Sequence, residues 1–221
     1  TTRAAPPAAN GEGQASVRQK VSAAMVLLWS LRLGLFLGWR GWKYGDSRFE
    51  KVKYRPKAFL VYWMVQGFWC LLTPLPTYLL LSRTSKDTAP LGFSDYASWL
   101  GWVVGFVTEA VADAQKSLWK DAGNTGFMRS GLWRYSQHPN YFGEILLWAS
   151  ACVTCTNGLE SWLAKICSLA SPAFVAYLLM FVSGVPMLQR AAQKKYGRDP
   201  AFLAYRATTS LLVPMPPRRT I

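Results

Sequence analysis

The chain has 221 residues and is 51% hydrophobic, yet it carries 25 Lys and Arg against 11 Asp and Glu. With 11 Trp, 10 Tyr and 11 Phe it is rich in the rings that favour membrane interfaces. A basic soluble protein would suggest nucleic acid, but such a protein has no need of long apolar runs, so no nucleic-acid partner is expected.

Residues 1–20 have no apolar periodicity and hold Ala, Pro, Gly, Ser and Thr with three bases and one acid. That composition predicts a disordered arm or the remnant of a targeting segment, followed by a single membrane-embedded domain over 21–221. Five apolar stretches then predict an all-α, polytopic membrane bundle of about five transmembrane helices: 22–40, 58–81, 96–112, 142–157 and 162–188. The third and fourth are short and should lengthen into their polar flanks. Pro74 and Pro76 should kink the second helix, Pro172 and Pro186 the fifth.

If the five helices alternate, 41–57, 113–141 and the tail from 189 share a side. With Arg40 they hold 18 of the 25 bases, which places that side in the cytosol, matrix or stroma. Asp46-Ser47-Arg48 and Lys194-Lys195 lie there. The arm and the initial Thr favour an organellar membrane, mitochondrial or plastid, with the endoplasmic reticulum as the alternative. Membrane lipids are expected neighbours.

Polar residues inside the apolar stretches mark a site, since ionisable groups at membrane depth face a cavity or a partner. Arg32 lies midway along the first stretch and Gln66 inside the second. Glu109 and Asp113 sit at i and i+4 on the third and face one way, with Lys116 and Lys120 continuing that face. A purely structural alternative is that Arg32 or Lys116 pairs with these acids to hold the bundle. Cys152 and Cys155 form a CxxC inside an apolar helix and read as small packing residues. No metal site and no disulfide framework is expected, and no GxGxxG follows a strand.

The densest chemistry is Arg129 to Glu144, RSGLWRYSQHPNYFGE. It gathers the only histidine, His138, with Tyr135, Tyr141, Asn140, Arg134 and Glu144. Pro139 suits the first turn of a helix, which puts His138 near the N-cap, where backbone N–H groups favour anions. Asn140, Glu144 and Trp148 are spaced by four and share a face.

These residues resemble the DUF1295 family, related to the C-terminal domain of steroid 5-alpha-reductases. GLWRYSQHPNYFGE carries the likeness, with WSLRLGLFLGWR at 29–40, GDSRF at 45–49, QGFW at 66–69, EAVADAQK at 109–116, SGVPML at 183–188 and the terminal Tyr205, Thr209 and Pro214 in order. The resemblance implies NADPH-dependent reduction of a carbon–carbon double bond in a steroid or other lipid. It places Glu109, Asp113, Asn140, Tyr141 and Glu144 against the nucleotide, Lys116 and Lys120 near its phosphates, and His138, Arg134, Arg190, Lys194 and Lys195 around the pocket. Tyr141 or Tyr135, beside His138, would supply the acid that polarises the substrate carbonyl. Gln137 and Gln189 depart from the family pattern, which has a cation and an acid there, and family members carry further helices before the first block. These departures favour an alternative, a non-catalytic reductase-like subunit of a larger membrane assembly. Isoprenylcysteine carboxyl methyltransferases share a related pattern, so an S-adenosylmethionine-dependent methyltransferase is a second alternative.

Overall fold

The computed structural model describes residues 15–45, 53–84 and 89–218. Asp46-Ser47-Arg48 and most of the arm lie outside these. Among the described residues the chain is helical, with no strand and one isolated parallel bridge between Ser136 and Ser210.

Helix α1 spans Val17–Tyr44. It starts five residues before the expected 22, so 17–20 belong to the helix and not to the arm. The reason is a local signal that apolar periodicity does not register. Ser16 and Gln19 form a capping box, with Ser16 Oγ accepting from Gln19 N and Gln19 Oε1 accepting from Ser16 N. Its 28 residues reach about 42 Å.

The second stretch is two helices, α2 (Pro56–Leu72) and α3 (Leu75–Leu81), bent by 49° where Pro74 and Pro76 interrupt the hydrogen-bond ladder. Helix α4 spans Phe93–Asp121, lengthened at both ends, and α5 spans Pro139–Thr156, lengthened only at its N-terminal side. The last stretch is α6 (Trp162–Tyr177), a π turn at Leu178–Val182 and α7 (Val185–Tyr196). Pro172 is carried inside α6, and the ladder is disturbed after Leu178 rather than at Pro186, which sits harmlessly in the first turn of α7. A short α8, Pro200–Thr208, follows Asp199, whose carboxylate accepts from Ala201 N.

Two helical segments, Val17–Tyr44 and Trp162–Tyr196, are long and apolar enough to cross a membrane, and the bent pair α2–α3 makes a third if it counts as one span. Helices α4 and α5 are not among them, so the expected count of about five is not reached on length and composition. Ser98, Glu109, Glu144, Ser150 and Thr154 on these helices are buried within the bundle, which lowers the helices' apolarity without exposing those groups to lipid. The exterior, by contrast, is apolar. No residue of α2 is buried, and Leu60, Trp63, Met64 and Phe68 all point outward, as does Gln66. Such a surface suits hydrocarbon, where burial of apolar side chains does not drive packing.

Hydrogen-bonded pairs at the two ends fix the helix directions. Arg18 grips Asp95 through two 2.8 Å bonds at one end, and Lys43 meets Asp121 at 2.7 Å at the other, so α1 and α4 run parallel. Asn140 reaches Asp113 while Asn157 reaches Asp95, so α5 runs back along α4. Arg18 is buried and also donates to Ala89 O and Pro90 O, which ties the start of α1 to the segment entering α4.

The α4–α5 seam is the tightest in the molecule. A Cβ on Gly105 would lie 2.7 Å from Gly143 O, and one on Gly143 would lie 2.6 Å from Gly105 O. Gly101, one turn earlier, faces Ser150 with the same lack of room. Small residues at four-residue spacing thus let two backbones touch, the device that apolar helices use in place of hydrophobic collapse. Around the seam packs a core of Met25, Trp29, Trp102, Leu147, Trp148, Ala151 and Val175.

Candidate functional site

Backbone contact at Gly105 and Gly143 carries the next polar residues on each helix, Glu109 and Glu144, toward one another. Both are buried, and their charges interact. One turn further, Asp113 on α4 meets Asn140 on α5, with Asn140 Nδ2 donating to Asp113 Oδ1 at 3.2 Å. Glu109, Asp113, Asn140 and Glu144, expected to share a chamber, do come together.

Helix α1 closes this group from the third side. Arg32 donates from Nη1 to Glu109 Oε1 at 2.6 Å and from Nη2 to Asp113 Oδ2 at 2.7 Å. The pairing weighed as a structural alternative therefore exists, and it engages both acids. One turn earlier on α1, Trp29 Nε1 donates to Glu144 Oε2 at 3.1 Å, while Trp148 Nε1 donates to Glu144 Oε1 at 3.0 Å. The two indoles pack edge to face with centroids 4.8 Å apart. Glu144 is thus held by two neutral N–H donors rather than by a cation. Trp29 was missed in the sequence because a Trp in an apolar run reads as lipid anchor. Its offset of three from Arg32 was the available signal.

The motif segment before α5 adds a second layer. His138 stands at the N-cap, as Pro139 implied, and its backbone N–H donates to Ser136 Oγ. Its ring stacks on Tyr141 at 5.3 Å and 9°. Burial, with a contribution from the nearby Lys116 charge, pushes its imidazole down to about 4, so it is neutral at physiological pH. Lys116 lays its ammonium 4.2 Å above the Trp133 ring, and Lys120 sits 4.6 Å above Tyr44. Tyr135 is exposed, and its carbonyl accepts from Met215 N.

Unsatisfied atoms cluster at the same place. Five buried side-chain polar atoms lack a hydrogen-bond partner among the described residues, and three of them are Glu109 Oε2, His138 Nδ1 and Asn140 Oδ1. Buried polar atoms are almost always paired, so each such orphan asks for a reason.

The remaining basic residues do not join this group. Arg134 lines a recess of about 380 Å³ with Arg129, Tyr205, Thr208, Thr209 and Arg218. Arg190 and Lys194 line a second, about 580 Å³, with Gln189, Gln193 and Arg206. Lys195 is exposed over the Tyr196 ring. The single chamber expected from the sequence is therefore divided. The cause is the C-terminal segment, which folds back along the motif: Gln137 N donates to Ser210 O, Ser136 Oγ to Leu212 O and Met215 N to Tyr135 O. Gln137 itself spends its Nε2 on Arg206 O and Thr209 O at the end of α8, and so does not point at the polar group. Cys152 and Cys155 are buried and free, bonded to Ser168 O and to Ser22 and Thr77 hydroxyls respectively. Among the described residues no group of three His, Cys, Asp or Glu could hold a metal.

The model of a family described as "protein of unknown function (DUF1295)" matches residues 4–209, so the chain belongs to that family. No curated protein and no solved structure matches it.

Proposed function

We propose that this chain is a membrane-embedded, NADPH-dependent reductase of a carbon–carbon double bond in a steroid or other lipid. The observation that carries the reading is the cluster of three orphaned buried polar atoms, Glu109 Oε2, His138 Nδ1 and Asn140 Oδ1. Their chemistry fits the cofactor. Ribose hydroxyls and the nicotinamide carboxamide can donate, Glu109 Oε2 and Asn140 Oδ1 can accept, and His138 Nδ1 accepts or donates according to its tautomer. Lys116, Lys120 and Arg40 lie toward the same end and suit the phosphates. When bound, NADPH supplies a hydride.

The chain's own residues then have distinct tasks. Asp113 orients Asn140, Arg32 orients Glu109 and Asp113, and the Trp29–Trp148 pair fixes Glu144 in a dry pocket of indole N–H groups. Tyr141, braced flat against His138, is the phenol proposed to polarise the substrate carbonyl, with Tyr135 as the more exposed alternative. The parallel course of α1 and α4, with α5 running back along α4, supports a five-pass reading in which the basic end faces the cytosol, matrix or stroma.

One feature favours a second reading, a non-catalytic subunit of a membrane assembly. Arg32 already occupies an oxygen of each of two acids, and two indoles occupy Glu144, so much of the polar group is closed by the chain itself.

The test uses purified protein in lipid nanodiscs with NADPH and a panel of α,β-unsaturated lipid ketones. Reductase activity consumes absorbance of the reduced cofactor and adds two hydrogens to the lipid. Binding of neither NADPH nor S-adenosylmethionine would leave the subunit reading, and binding of S-adenosylmethionine alone would favour methyl transfer.

A further inference from the structure

The recess lined by Arg129, Arg134 and Arg218 holds three guanidiniums and no carboxylate. It is a built feature rather than a chance of surface charge. Arg129 precedes the short 3₁₀ turn Gly131–Arg134, Arg134 ends it, and Arg218 arrives from the other end of the domain. The backbone bond from Arg218 N to Thr208 O at 2.9 Å sets it in place. Tyr205, on the recess wall, donates its hydroxyl to Trp133 O at 2.7 Å and locks α8 to the motif segment.

Three other arginines, Arg18, Arg32 and Arg206, are spent on protein partners. Arg18 and Arg32 each bind carboxylates, and Arg206 donates to Gln193 Oε1. Among the described residues, the guanidiniums of Arg129, Arg134 and Arg218 have no ion pair and no side-chain hydrogen bond; Arg129 only lies over the Phe127 ring at 5.8 Å. The excess of bases on this side accounts for their number. It does not account for three like charges sharing one wall, where an anion between them would relieve their mutual repulsion.

Size and surroundings indicate what the anion belongs to. A volume of about 380 Å³ exceeds a bare phosphate, at about 30 Å³ per displaced water. Leu211, Val213 and Met215 stand exposed on the tail between Thr209 and Pro217, both of which line the recess. A charged cup beside an apolar ridge matches a phosphate ester carrying acyl chains. Basic pockets on the positive side of membrane proteins take such headgroups. We infer that the Arg129–Arg134–Arg218 recess binds the phosphate headgroup of an anionic phospholipid. The site is independent of the polar group between α1, α4 and α5, and of whether that group holds a cofactor.

The test titrates delipidated protein with phosphatidylglycerol, phosphatidylcholine or inorganic phosphate, reading bound lipid by native mass spectrometry and stability by thermal shift. Phosphatidylglycerol should bind and stabilise, and phosphatidylcholine should not. Each arginine removed should weaken binding about fivefold, and R129Q/R134Q/R218Q about a hundredfold. Should the triple variant not fold, R218Q on the tail carries the comparison, with Lys165→Gln as a control of equal charge expected to change nothing. Equal binding of phosphatidylcholine, or unchanged affinity in R218Q, overturns the proposal. So does full stabilisation by inorganic phosphate alone, which would make this a free-ion site. Displacement of the lipid by NADPH would also overturn it, by returning the recess to the cofactor.

Discussion

Replacing Arg32 by glutamine removes the guanidinium that bridges Glu109 at 2.6 Å and Asp113 at 2.7 Å. Arg32 has 14% of its side chain exposed and the two acids 6% and 13%, so water cannot substitute for the lost cation. Breaking a buried pair from one side costs about 3–5 kcal/mol, because the partner charge is left uncompensated. For a chain of this size each kcal/mol moves the melting temperature about 2–4 °C, which predicts a fall of about 6–20 °C. Intrinsic tryptophan fluorescence during a thermal ramp in detergent reads this directly, since Trp29 and Trp148 adjoin the site. The triple variant R32Q/E109Q/D113N removes the stranded charges as well and should recover most of the loss. A melting temperature within about 2 °C of wild type for Arg32→Gln, or no recovery in the triple variant, would refute the reasoning that the pair is buried and mutually dependent.

Three further outcomes follow from the same geometry. Gly105→Val should prevent normal packing of α4 on α5, since even a Cβ would meet backbone atoms at 2.7 Å; an overpacking cost of about 1–3 kcal/mol or more is expected by thermal shift, against a near-neutral Gly34→Ala, where a Cβ has open space. Neutral His138, with its imidazole pushed down to about 4 in the fold against 6.5 when free, binds fewer protons than the unfolded chain between those values. Its contribution to stability is complete above about 6.5 and is lost as pH falls toward 4, so His138→Asn should flatten the acid limb of a stability–pH profile. Gln137→Ala should cost about 1–3 kcal/mol by chemical denaturation, because Arg206 O and Thr209 O lose their shared donor, while NADPH affinity stays unchanged.

Much of this site could be read from spacing. Glu109 with Asp113, and Asn140 with Glu144 and Trp148, lie one helical turn apart, and a helix that buries one member of such a set buries the others. The partners supplied by α1 were only half legible. Arg32 announced itself as a cation in an apolar run, whereas Trp29 has the same composition as its lipid-facing neighbours. The Gly101–Gly105 spacing and Gly143 carried the information that α4 and α5 touch, yet a glycine in an apolar stretch is equally compatible with no contact at all. Arg18 falls within the stretch that composition assigns to the arm, because nothing local reveals that Asp95 stands beside it. The division of the basic residues was invisible for a similar reason: the tail from Thr209 to Arg218 returns across the motif through long-range backbone bonds that leave no periodic trace.

The central claim is that the orphaned polar atoms between α4 and α5 wait for a dinucleotide. Equilibrium titration of NADPH into nanodisc-embedded protein, followed by cofactor fluorescence, tests it most directly. Saturable binding at about 1 mM or tighter, weakened about tenfold or more by Asn140→Ala and by Glu109→Gln, is the expected result. Absence of saturable binding, or affinity indifferent to both substitutions, would contradict it.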